Sequence, residues 1–134
     1  LNNLSYLLAL QGGTDHADEA MRLVREAVGI LGPTADILDT RAVVFTSQDQ
    51  FSDAIADLEL SLTDNPTASK YYHKAVAHIG AGENTDALEA WNQALEMGLS
   101  RDTVNRLERD QFDEVKARIE QLQSAGRQFG LLSR

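Results

Sequence analysis

The chain lacks several things at once: it has no cysteine, only two prolines among 134 residues, and few aromatic side chains. Without cysteine there is no disulfide framework, no thiolate nucleophile and no Cys-ligated zinc. That fits a reducing compartment such as the cytoplasm without demanding one. No apolar run approaches the ~18 residues that span a bilayer, and no basic-then-apolar leader opens the chain. The first residue is Leu1, already inside an apolar-periodic segment, so the sequence reads as a fragment of a longer protein. Chemistry-bearing motifs are missing too: there is no Gly-rich phosphate loop, no H-E-x-x-H, no EF-hand loop and no G-x-S-x-G. No cofactor is implied.

Charge is plentiful and unevenly placed. Of the net −9, residues 1–67 carry 11 acidic and 3 basic side chains, net −8; residues 68–134 carry 10 and 9, net −1. An acidic surface repels phosphate backbones and disfavours nucleic acid as a partner. The acidity serves solubility first, and it leaves a basic partner open. The three histidines form no metal pair by spacing. His73 and His78 are five residues apart on one helix, whereas two ligands on a helix face sit three or four apart. His78 reads as an inward packing residue and His16 as solvated. The carboxylates offer no reason to choose an acid and a base, so no catalytic residue is assigned.

What is present is helical periodicity with a long-range repeat. Leu38, Arg41, Ala42 and Phe45 share a stripe, a Ser-Gln-Asp-Gln break follows at 47–50, and Ala54, Leu58 and Ser61 form a second stripe before Asn65-Pro66. Small residues at Ala42 and Ala54 let two antiparallel helices approach closely. Ala42 recurs as Ala75 and Ala54 as Ala87, both 33 residues on, and Ala20 precedes Ala54 by 34. A fixed period of this size indicates a solenoid of helix pairs.

The pattern resembles the tetratricopeptide family. The second unit matches through Leu38, Arg41-Ala42, Phe45, Ala54, Leu58 and Pro66. The third matches through Tyr71, Lys74-Ala75, His78, Ala87 and Trp91, with Gly98-Leu99 where Pro would stand. The first matches through Leu1, Leu4-Ser5, Leu8, Ala20, Val24 and Pro33, with a few extra residues in the Gln11–His16 turn. The resemblance implies an all-α, right-handed solenoid of three helix pairs, at 1–33, 34–66 and 67–99. Leu1, Leu4, Ser5 and Leu8 are expected inward. Thr14 or Asp15, Thr34, Asp49 or Ser52, Thr67 or Ser69 and Ser100 are candidate helix caps. Residues 100–126, with Phe112, Val115, Ile119 and Leu122 inward, read as the helix that caps the last core surface, and 127–134 as a tail whose Phe129, Leu131 and Leu132 dock back or reach a neighbour.

Arrays of this family line a concave groove with outward residues of each unit's first helix. Carried over by register, that face is Asn2, Asn3 and Tyr6; Asp36, Asp39, Thr40 and Val43; and Ser69, Tyr72, His73, Val76 and Ile79. Amides and rings suit a peptide: Asn meets main-chain N–H and C=O, and Tyr gives wide contact at low entropy cost. For Val76 and Ile79, packing against the capping helix is an equal expectation. Family members that hold chaperone C-termini clamp the carboxylate with Lys, Asn and Arg on this face. Asn2, Tyr6, Thr40, Ser69 and His73 stand there instead, so no fixed positive charge points into the groove. The resemblance implies a non-catalytic module that grips a protein partner's peptide or helix. Self-association through the first helix or the tail is the alternative, as is a regulatory appendage of an enzyme whose catalytic domain lies outside these residues.

Overall fold

Helices pack closely only where their crossing points are small, and this rule sets the architecture. The computed structural model describes residues 2–132, with side chains through Arg127. Six helices form three successive pairs: α1 (Asn2–Gln11) with α2 (Thr14–Leu31), α3 (Ala35–Ser47) with α4 (Phe51–Asp64), and α5 (Ala68–Ala81) with α6 (Asn84–Glu96). Two short 3₁₀ turns, Arg101–Thr103 and Arg106–Glu108, lead into α7 (Arg109–Leu132). Among the described residues there is no strand, and the fold is all-α. Each pair stacks on the next, with α2 against α3, α4 against α5, and α1, α3 and α5 side by side.

The small residues sit at the crossings, as the repeat requires. Ala42, Ala54, Ala75 and Ala87 are all fully buried. In the first pair Ser5 takes the place of the alanine, and its hydroxyl donates to the Ala20 carbonyl at 2.6 Å. Ser61 does the same between α4 and α3, donating to Ala35 O at 2.6 Å. A buried hydroxyl that finds a carbonyl keeps the close approach without leaving a polar group unsatisfied. The second pair is further tied by a bidentate contact. Arg41 Nε and Nη2 lie 2.7 and 2.8 Å from the Asp57 carboxylate, whose hydrogen bond holds the guanidinium pKa above its usual range.

Three core clusters follow one another along the stack. Ala20, Met21, Val24, Ile37 and Val44 build the first, Ala42, Ala54, Leu58 and Ala77 the second, and Tyr72, Trp91, Phe112, Val115 and Ile119 the third. The third is the largest because α7 adds its apolar face there. Helix starts are set by the expected residues in two cases: Thr34 Oγ1 accepts from Ile37 N at 3.3 Å and Thr67 Oγ1 from Lys70 N at 3.1 Å. Such caps contribute about 1 kcal/mol each. Ser100 forms a capping box with Thr103. Gly82, at φ 77°, takes the left-handed position that ends α5.

Several expectations are corrected. Leu4 is 51% exposed rather than inward; it occupies the position of Arg41 and Lys74, which are only half-buried. Neither Thr14 nor Asp15 caps α2; Gly13 precedes it and makes no side-chain cap. Gln50 precedes α4, also without a side-chain cap, while Asp49 takes a left-handed φ of 60° in the turn. The helical backbone of α7 continues through Gly126 to Leu132. The expectations for Leu1 and for the Phe129, Leu131 and Leu132 side chains lie outside the described residues.

Candidate functional site

Because α1, α3 and α5 lie side by side, residues at one register of their helical stripes meet across a common face. His73 is the meeting point. Its Nδ1 is 2.7 Å from Asp39 Oδ1 on α3, and its Nε2 is 3.4 Å from the Tyr6 hydroxyl on α1. Thus three helices, and three units of the repeat, contribute to one hydrogen-bonded cluster. Asp36 is exposed and Tyr6, Asp39, Ser69, Val76 and Ile79 are half-buried, whereas the exposed Asn3 and half-buried Asn2 line a separate depression with Ala27, Ile30 and Leu31 of α2. Thr40, Val43 and His73 are buried, and the Thr40 hydroxyl turns back to donate to Asp36 O at 3.2 Å.

The cluster is closed from above by a residue that the sequence does not mark. The 3₁₀ turn Arg106–Glu108 crosses the face, and Glu108, 1% exposed, places Oε1 3.0 Å from His73 Nε2. Its other oxygen, Oε2, is buried without a hydrogen-bond partner. Burial pushes the Glu108 carboxyl up to about 7, since desolvation disfavours the charged form. With Nδ1–H donating to Asp39, Nε2 is free to accept the proton of a neutral Glu108 carboxyl. A protonated imidazole donates to both carboxylates instead.

The same segment removes Tyr72 from the groove lining. Tyr72, expected to point outward, is fully buried. Its ring packs 6.4 Å from Trp91 and 5.8 Å from Phe112, centroid to centroid, and its hydroxyl donates to Gln111 Oε1 at 2.9 Å. Desolvation, with Asp113 and Glu114 nearby, pushes the phenol pKa up. The physical reason is local. In the second unit this register carries the half-buried Asp39, which bonds His73 on the common face, but in the third the start of α7 covers it. Val76 and Ile79 pack against the same core cluster, and Val76 also reaches the open part of the face.

That open part is a depression of about 160 Å³ between α1, α3, α5 and the 106–111 turn. Val43, His73 and Val76 line it. Ala9, Leu10, Thr46 and Ser47 line it one turn further along the stripes of Tyr6 and Val43, and extending those stripes finds them. Leu107, Glu108 and Gln111 complete the wall, and no periodicity leads to them.

On the opposite side, His78 is buried as an inward residue and its Nδ1 lies 3.2 Å from Glu83 Oε1. With Asp86 these groups offer ligand atoms within 4.8 Å of one another, from the α5–α6 connection rather than from a second histidine. Lys74 lines the same depression, together with Ser52, Ile55 and Glu59.

Against known proteins, no family model matches the chain. Over 116 residues it is 30% identical to heat shock protein STI1 of Saccharomyces cerevisiae, an alignment that takes in 85% of this chain and 19% of that protein. The chain therefore spans about a fifth of the length of that relative. No solved structure matches.

Proposed function

We propose that the chain is a tetratricopeptide-type array serving as a non-catalytic protein-interaction module, and that its concave face grips a peptide or helix of a partner. One observation carries this reading: side chains from α1, α3 and α5 converge on one face, with an open depression bounded by polar and apolar groups on rigid helices. Rigid elements presenting a concave, mixed surface lower the ordering cost of binding an extended segment. The similarity to a heat shock protein supports a role in protein contacts. The binding surface is Asn3, Asp36 and the half-buried Asn2, Tyr6, Asp39 and Ser69, together with the depression beside them. Tyr72 acts through the core that holds the wall in place.

Affinity capture from a source-cell lysate tests this. The wild-type chain is compared with an Asn3→Arg/Asp36→Arg variant, both exposed positions that leave the core untouched, with equal helix content checked by circular dichroism. A protein held by wild type and lost by the variant supports the reading; equal retention contradicts it.

A second reading has its own observation. Leu4 and Leu7 on α1 are 51% and 40% exposed, whereas Val44 and Ala77, which match Leu7 in the next two units, are buried against a preceding helix. The outer face of α1 thus has the character of a stacking surface, for a further helical unit or a second copy. Concentration-dependent mass that disappears in Leu4→Glu/Leu7→Glu would favour it.

A further inference from the structure

We propose that the depression beside Glu108 takes a lysine or arginine side chain carried by the partner polypeptide. This deepens the reading of the concave face and rests on it. The polar lining is mostly acceptor, the Gln111 amide N–H group being the exception. Thr46 Oγ1 donates its hydrogen to Ala42 O at 2.9 Å and Ser47 Oγ to Val44 O at 2.6 Å, so both present lone pairs to a ligand. Gln111 Oε1 is already taken by the Tyr72 hydroxyl. Glu108 Oε2 is buried with no donor at all, although Arg106 and Arg109 flank it in sequence; neither guanidinium forms an ion pair with it. A buried oxygen left without a donor is unfavourable, and a group that brings N–H donors relieves it.

The rest of the wall selects among donors. Leu10 and Val43 offer apolar surface to methylene groups, and Leu107 stands half-exposed at the rim. No Lys or Arg lines the depression. A side chain with an aliphatic stem and a cationic head satisfies both features, stem on the wall and head on Glu108. A carboxylate brings only acceptors to the oxygens of Glu108, Thr46 and Ser47 instead. Residues 1–67, net −8, also draw a basic segment toward this end of the molecule.

The test titrates the full chain, labelled with nitrogen-15, with three blocked pentapeptides that differ only in a central lysine, norleucine or glutamate between leucines. The lysine peptide is expected to shift the amides of Thr46, Ser47 and Glu108 and to bind about tenfold or more tightly than the other two. Ser47→Lys, at an exposed rim position, is expected to weaken it by about tenfold, and Asp86→Lys on the opposite side to leave it unchanged. Glu108→Gln is expected to weaken it as well; should that variant fail to fold, Ser47→Lys alone decides. Equal affinity for norleucine, no binding of the lysine peptide, or equal loss in Asp86→Lys overturns the assignment. If a lysate partner is still captured through Asn3 and Asp36, only the basic-side-chain assignment falls; if that capture also fails, the groove reading falls with it.

Discussion

Nε2 of His73 sits 3.0 Å from Oε1 of Glu108, joining α5 to a turn 35 residues further on and closing the concave face over the third unit. Asp39 holds the other ring nitrogen at 2.7 Å, so one imidazole links α3, α5 and the segment that leads into α7. The consequences reach both stability and the shape of the groove.

Removing either side of this contact leaves a buried polar group unpaired. His73→Ala and Glu108→Ala are each expected to lower stability by about 1–3 kcal/mol in urea unfolding. Because the two residues share the contact, the double variant should lose less than the sum, by about 1 kcal/mol. Strict additivity would mean that the contact does not form in solution.

The buried carboxyl makes stability depend on pH in a definite direction. Glu108 titrates near 4.5 when unfolded and at about 7 in the fold. Between those values the native state binds more protons than the unfolded chain, so stability falls as pH rises through that window. Full expression of the shift is on the order of 3 kcal/mol. His73 on α5 is the group bonded to Glu108, and Tyr6 on α1 and Asp39 on α3 share that imidazole; Arg106 and Arg109 stand beside Glu108 in the chain. Wild type minus Glu108→Gln, compared by urea unfolding at pH 5 and pH 8, isolates this residue. Wild type should lose ground to the variant at pH 8.

Tyr72→Ala is expected to destabilise by about 3–5 kcal/mol, since a fully buried ring leaves a cavity against Trp91 and Phe112. Thermal melting checks this. A partner lost in that variant would reflect unfolding of the third unit rather than a missing contact.

Gly80→Ala offers a test of packing with an inverted sign. Within a helix, Ala is normally better than Gly by about 1 kcal/mol. Here a Cβ on Gly80 runs into the Phe51 ring, across the stack from α5 to α4. The substitution should therefore lower stability, by about 1–3 kcal/mol. Adding Phe51→Leu to Gly80→Ala should recover part of the loss in the same melting assay.

The sequence carries the scaffold more completely than the site. Ala42, Ala54, Ala75 and Ala87 announce the crossings because small residues repeat at a fixed period, and all four lie where that period puts them. Even the first unit, whose extra residues lengthen the start of α2 rather than the Gly12-Gly13 turn, keeps Ser5 opposite Ala20, and a hydroxyl–carbonyl contact seals the match. Leu4 misleads because an apolar residue on a stripe reads as inward, whereas its position is the one where the later units carry the half-buried polar Arg41 and Lys74. Glu108 stays hidden for a different reason. It stands in an irregular turn after the repeat lapses, and a single acidic residue there shows neither its burial nor its partner. Tyr72 changes character through the same event, since its register is concave surface until the turn and α7 cover it. Local pattern specifies the helices; which face is left open depends on where the last segment returns.

The most direct test of the account places a photo-crosslinking amino acid at Ser47, on the rim of the depression, and in a parallel protein at Leu60, exposed on α4 away from it. Each is irradiated in source-cell lysate. The account predicts protein adducts from Ser47 that are absent from Leu60 and that disappear when Asn3→Arg/Asp36→Arg is added. Equal adducts from both positions, or adducts from Leu60 alone, would contradict a partner bound in the concave face.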